Sequence, residues 1–146
     1  MIAQTISLAL APVFLLVAMG NILNVLSQRL GRVVDRSRLL QERHKETTGD
    51  EHDMVVREIR LTDQRIALIG KAFLCIVLAG LTVGATVASL FVEAMVGVDL
   101  QLVAAGTFIL AIALLMIALL LFLREVRAGT AALRIPEEFL ETHRKL

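Results

Sequence analysis

Apolar residues fill three stretches of this chain, about Ile2 to Leu26, Ala72 to Val92 and Leu100 to Leu123, and polar residues gather between and after them. Each stretch is close to the roughly 20 residues a helix needs to cross a hydrocarbon layer. The pattern predicts an all-α integral membrane protein with transmembrane helices over 1–26, 72–92 and 100–123, joined by a polar segment over 27–71 and a short loop over 93–99, and followed by a tail over 124–146. The polar segment keeps helical order. Leu23, Leu26, Leu30, Val33, Ser37 and Leu40 alternate spacings of 3 and 4, and beyond Thr47-Thr48-Gly49-Asp50 the residues Val55, Ile59, Thr62, Ile66, Ile69 and Phe73 do the same. Such heptad seams of coiled-coil type predict an antiparallel helical hairpin that extends spans one and two. Gly49 suits a left-handed cap at the turn, with Asp50 as N-cap and Asp53 as first-turn acid of the returning helix. Some 18 residues from Gln28 to Lys45, at about 1.5 Å each, give a stalk of about 27 Å. The alternative is a hairpin lying on the membrane surface, because Val34, Leu39 and Leu61 widen its apolar face.

Charge then orients the spans. All 15 Lys and Arg residues lie between Arg29 and Lys71 or between Arg124 and Lys145, whereas the segment joining the second and third spans holds only Glu93 and Asp99. By the positive-inside rule both basic blocks face the cytoplasm. Three spans then put the N-terminus outside and the C-terminus inside, as expected for a multi-pass membrane protein. A cleaved signal peptide is the competing reading of the first stretch, but it wants Lys or Arg ahead of the apolar run, and Met1 to Leu10 has none.

Composition narrows the function classes. A hydrophobic fraction of 57% exceeds that of soluble domains, and the mean hydropathy is +0.76. The basic blocks also carry 12 of the 14 acidic residues, and Trp and Tyr are absent, so no nucleic-acid partner is expected. Cys75 falls inside the second span and has no second cysteine to pair with.

Polar residues within the spans are the candidate functional positions. Thr82, Thr86, Ser89 and Glu93 recur at 4, 3 and 4 and share one arc of the second span. They form a candidate pore lining, although a helical Thr or Ser can also satisfy its hydroxyl on the carbonyl one turn back. Gly80, Gly84 and Ala88 occupy another arc, where small residues let a neighbouring backbone approach. In the first span Asn21 and Asn24 share a face with Gln28, Arg32 and Asp35; they hydrogen-bond to neighbouring helices or headgroups, or line a path. Pro12 removes one backbone donor and is expected to bend the helix. The third span is expected to face lipid around most of its circumference, leaving the second span central.

No signature of catalysis appears: there is no Gly-rich phosphate loop, nucleophile elbow, pair of cysteines or His-Glu-x-x-His helix. The hairpin tip, His44 to Glu46 and Asp50 to Asp53, gathers metal-ligand types, but their spacing fits neither a zinc nor a calcium pattern. No cofactor and no metal are expected. The tail beyond Ile135-Pro136 opens with Glu137 and Glu138 and ends with Arg144 and Lys145, the charge order of a short helix.

The chain resembles the small bacterial membrane proteins known as domain of unknown function 2721. The resemblance rests on the run Asn24 to Leu40 with Arg29, Arg32, Arg36 and Arg38, on Arg65-Ile66-Ala67-Leu68-Ile69 entering the second span, and on Leu123-Arg124-Glu125-Val126 leaving the third, followed by Ala131-Ala132-Leu133. It covers nearly the whole chain, which departs from it at Gly70 and Lys71. What it implies is a fold without an assigned activity or catalytic residue. The expected function is thus non-enzymatic: a homo-oligomeric scaffold in the lipid bilayer, presenting its hairpin to a cytoplasmic protein partner. The rival is a small homo-oligomeric cation channel lined by the polar residues of the second span with Glu93 at its outer mouth.

Overall fold

The computed structural model describes residues 2–132, with side chains described for residues 3–130. The tail features named above, from Leu133 through Pro136, Glu137 and Glu138 to Arg144 and Lys145, lie outside the described residues. Among those described, every element is a helix: α1 (Ile2–Glu46), α2 (Asp50–Val96) and α3 (Gln101–Ala132). All three are long and apolar enough to cross a membrane. Helices α1 and α2 each run unbroken from an apolar section into a polar one, so the two polar sections pair as a hairpin. The second helix packs along both of the others, and α1 and α3 meet chiefly through side chains.

Buried positions recur every seven residues, which returns a side chain almost to the same face because two helical turns take about 7.2 residues. On α1 they are Met19, Leu26, Val33 and Leu40; on α2, Val55, Thr62, Ile69, Ile76 and Val83, with Ala72, Ala79 and Thr86 beside them; on α3, Ala104, Ala111 and Ala118. Leu23, Leu30 and Ser37, which alternate with the buried α1 positions, are half-buried. The alanine seam lets α3 approach α2 closely and leaves Leu102, Ile109, Met116 and Leu120 outside.

The first turn differs from expectation in its caps and the second in its length. Helix α1 stops at Glu46, and Thr47 closes it by donating its N–H and its hydroxyl to the Arg43 carbonyl at 3.1 and 3.0 Å. Gly49 is the N-cap of α2 and Asp50 its first helical residue; Gly49 has φ 70° and ψ −142°, outside the left-handed helical cap region. The three-residue turn needs a sharp reversal that only a residue without Cβ adopts cheaply. The second turn is shorter than 93–99. Glu93 is still helical, α2 runs to Val96, and Gly97 at φ 75° and ψ 16° is a left-handed C-cap donating to the Glu93 carbonyl at 2.9 Å. Asp99 Oδ1 accepts the Gln101 N–H at 3.1 Å and starts α3.

Candidate functional site

Two glutamates on the seams mark the two ends of the apolar section. Glu125 continues the alanine repeat of α3, one heptad after Ala118, and is fully buried. It sits just past the last apolar run of α3. At the same level α1 presents Arg29, its first charged residue, and α2 presents Arg65, one heptad before the buried Ala72. Arg65 donates from Nε and Nη2 to Glu125 Oε1 at 3.1 and 2.9 Å, and Arg29 Nε stands 3.0 Å from Oε2. One carboxylate is thus shared by two guanidiniums from two other helices.

The neighbours hold this cluster in place. The Arg29 guanidinium carbon lies 5.3 Å from the centre of the Phe122 ring, within cation–π range. Gly129, one turn after Glu125, leaves the space Arg65 needs: a Cβ there would stand 2.9 Å from Arg65 Nη2 and 3.1 Å from Cζ. Each arginine keeps a quarter of its side-chain surface exposed, enough to spread its charge toward solvent while Glu125 has none. Pairing of this kind is what permits a carboxylate to be buried at all, since an ion stripped of water and left alone costs several kcal/mol. Two turns further into the hairpin, Arg36 pairs with Glu58, with Nε 2.8 Å from Oε1 and both side chains well exposed.

Glu93 shares a seam with Arg65, Ala72, Ala79 and Thr86 but has the opposite surroundings. Its Oε1 accepts a hydrogen bond of 3.3 Å from Gln101 Nε2, and its Oε2 is buried without a hydrogen-bond partner among the described residues. Beside it opens a cleft of about 570 Å³ between the first turns of α1, the last turns of α2 and the first turns of α3. Gln4, Thr5 and Gln101 supply polar groups to its lining, and Leu8, Pro12 and Phe108 are among its apolar walls.

The other sequence-derived candidates divide between inside and outside. Thr86 is buried; its hydroxyl reaches the Thr82 carbonyl at 3.0 Å and the Thr107 hydroxyl of α3 at 2.8 Å. Thr82 and Ser89 donate back to the carbonyls of Ala79 and Thr86, both at 2.8 Å. Asn21 and Asn24 are exposed on α1, away from the other two helices, and so is Gln28. Gly80 faces α1, with Leu16 Cδ2 at 3.8 Å from where a Cβ would be, whereas Gly84 meets nothing within 4 Å and Ala88 is exposed. At the hairpin tip the His44 and His52 rings lie 4.4 Å apart, and Thr47 Oγ1 is 3.5 Å from His52 Nδ1. Among the described residues no three His, Cys, Asp or Glu side chains converge as metal ligands.

Arg29, Arg65 and Glu125 are the residues that sequence reasoning used without joining. Each falls in a run that carries the family resemblance, yet each reads alone as an interfacial charge. The signal that joins them is the heptad: on α3, Ala104, Ala111 and Ala118 lead to Glu125, and on α2, Thr86, Ala79 and Ala72 lead back to Arg65.

No curated protein and no solved structure matches the chain. A family model described as "Protein of unknown function (DUF2721)" matches residues 9–135.

Proposed function

The chain belongs to that family, and we propose that it is a non-enzymatic, multi-pass protein of the bacterial inner membrane that assembles with copies of itself and presents the α1–α2 hairpin to a cytoplasmic protein partner. The observation that carries this reading is the outward exposure of Asn21 and Asn24 on the apolar section of α1. Amide side chains facing hydrocarbon are costly, and a second copy can supply their hydrogen bonds. The exposed Gly84 and Ala88 on α2 give a neighbouring helix a surface of low relief. Charge distribution supports the orientation, with the hairpin and the C-terminus in the cytoplasm and the N-terminus outside.

A cation channel between protomers lined by Thr82, Thr86 and Ser89 has less support, because the Thr86 hydroxyl is engaged with Thr107 inside a single protomer. The experiment is the subunit count of the purified protein in a mild detergent by native mass spectrometry, together with Gly84→Leu and the double variant Asn21→Leu, Asn24→Leu. Gly84 has open space inside the protomer, so its substitution reports on assembly and not on folding. A wild-type oligomer that these changes dissociate supports the reading; a wild-type monomer contradicts it.

A further inference from the structure

The cleft beside Glu93 fits a ligand, and the chemistry of its walls specifies that ligand's charge. Its volume of about 570 Å³ lies inside the range of roughly 300–1,000 Å³ typical of small-molecule sites. Glu93 lines the cleft, and among the described residues its Oε2 is buried without a hydrogen-bond partner while its Oε1 accepts a long one from Gln101. A buried carboxylate oxygen calls for a donor, and a cationic donor satisfies it best. Among the described residues no cationic side chain lines the cleft. Lys, Arg and His are absent from residues 1–28 and 72–123, the segments from which all three walls of the cleft are built.

We propose that this cleft binds a small organic ammonium, a protonated amine carried on an apolar body, with Glu93 as its counter-ion. A bare divalent metal ion is a poorer match, since it takes six or more oxygen ligands, usually with more than one carboxylate, and no second acidic, His or Cys side chain pair joins Glu93 among the described residues. An organic cation uses what is present. Glu93 neutralises its charge, Phe108 offers an aromatic wall of the kind cations favour, and Leu8 and Pro12 cover the apolar body. Gln4 and Gln101 carry amide groups at the rim that orient a polar substituent. The site is built within one protomer and is independent of the assembly proposed above. The ammonium group has two sources, a free amine or the headgroup of an ethanolamine lipid.

The probe is benzylammonium, titrated at neutral pH into the full chain in an uncharged maltoside detergent and followed by saturation-transfer NMR, with benzenesulfonate as the anionic control. Wild-type protein should bind the cation saturably and ignore the anion. Glu93→Gln should weaken binding by about tenfold or more, the equivalent of losing one charge-assisted hydrogen bond. Phe108→Leu, which leaves the carboxylate in place, should weaken it by a smaller factor. In parallel, native mass spectrometry is run on protein released from mixed phosphatidylethanolamine and phosphatidylglycerol bilayers. Phosphatidylethanolamine retained by the wild type and lost from Glu93→Gln assigns the site to a lipid headgroup; probe binding without retained lipid assigns it to a free amine. Equal binding of the probe to wild type and Glu93→Gln, equal binding of benzenesulfonate, or neither probe nor lipid bound overturns the proposal.

Discussion

Glu125 and Glu93 are the same residue at opposite ends of one apolar section, and each lies on a heptad seam facing a neighbouring helix. Around Glu125 the chain supplies two guanidiniums, a ring and a glycine that makes room, and the carboxylate is closed off. Around Glu93 it supplies one weak amide donor and a cleft. Burial alone therefore does not define a carboxylate's role. Each glutamate has an Oε2 without a hydrogen bond among the described residues, so what separates a structural node from an open site is whether the protein's own cations offset the carboxylate's charge. The inner cluster ties three helices together at the level where the apolar section gives way to the polar one, which fixes the hairpin's exit from the bundle.

The largest effect expected on that contrast comes from removing the inner carboxylate. Glu125→Ala leaves two guanidiniums facing each other across a gap, and loss of one partner from a buried ion pair costs about 3–5 kcal/mol. The lower end is expected, because each arginine keeps a quarter of its surface exposed. Denaturant or thermal unfolding in detergent, followed by far-UV circular dichroism, reads it directly. Gly129→Ala comes next. Its methyl must shift the Arg65 guanidinium, the far end of a flexible side chain, against Glu125, so the loss is expected near the low end of the roughly 1–3 kcal/mol that overpacking costs; combining it with Arg65→Ala should remove most of that penalty, as a double-mutant cycle would show. At the hairpin, Arg36→Ala breaks an ion pair whose partners are 44% and 43% exposed, and a loss of at most about 1 kcal/mol is expected. The smallest change is at the other end: Glu93→Gln removes a charge that has no cationic partner among the described residues, so stability should stay level or rise slightly.

These residues also show what a sequence gives up readily and what it withholds. The hairpin seam was readable because Leu26, Val33 and Leu40 are set among Arg, Asp and Ser, so the apolar side of the helix stands out. The seam of α3 was hidden. Leucine, isoleucine and alanine surround that helix on every side, and hydropathy cannot distinguish Ala111, which is buried, from Ile109, which is exposed. Size could have done so, since the small residues Ala104, Ala111 and Ala118 follow one another at seven. The expectation that α3 turns most of its circumference outward agrees with its exposed leucines, but the buried strip is the part that matters for Glu125. Gly49 announced the first turn, although it caps the start of α2 in place of Asp50. The cleft was unreadable, because Gln4, Glu93 and Gln101 come from three helices and meet only through the fold.

The most direct test applies one chemical change at both ends. Glu125→Gln and Glu93→Gln each replace a carboxylate by its neutral isostere, and their unfolding midpoints can be compared in the same detergent. Glu125→Gln should fall well below wild type, by an amount equivalent to about 1.5–3 kcal/mol for lost charge-assisted bonds, while Glu93→Gln holds the wild-type midpoint or exceeds it. Equal shifts in the two variants, or a larger loss at Glu93, would contradict the division between a closed node and an open site.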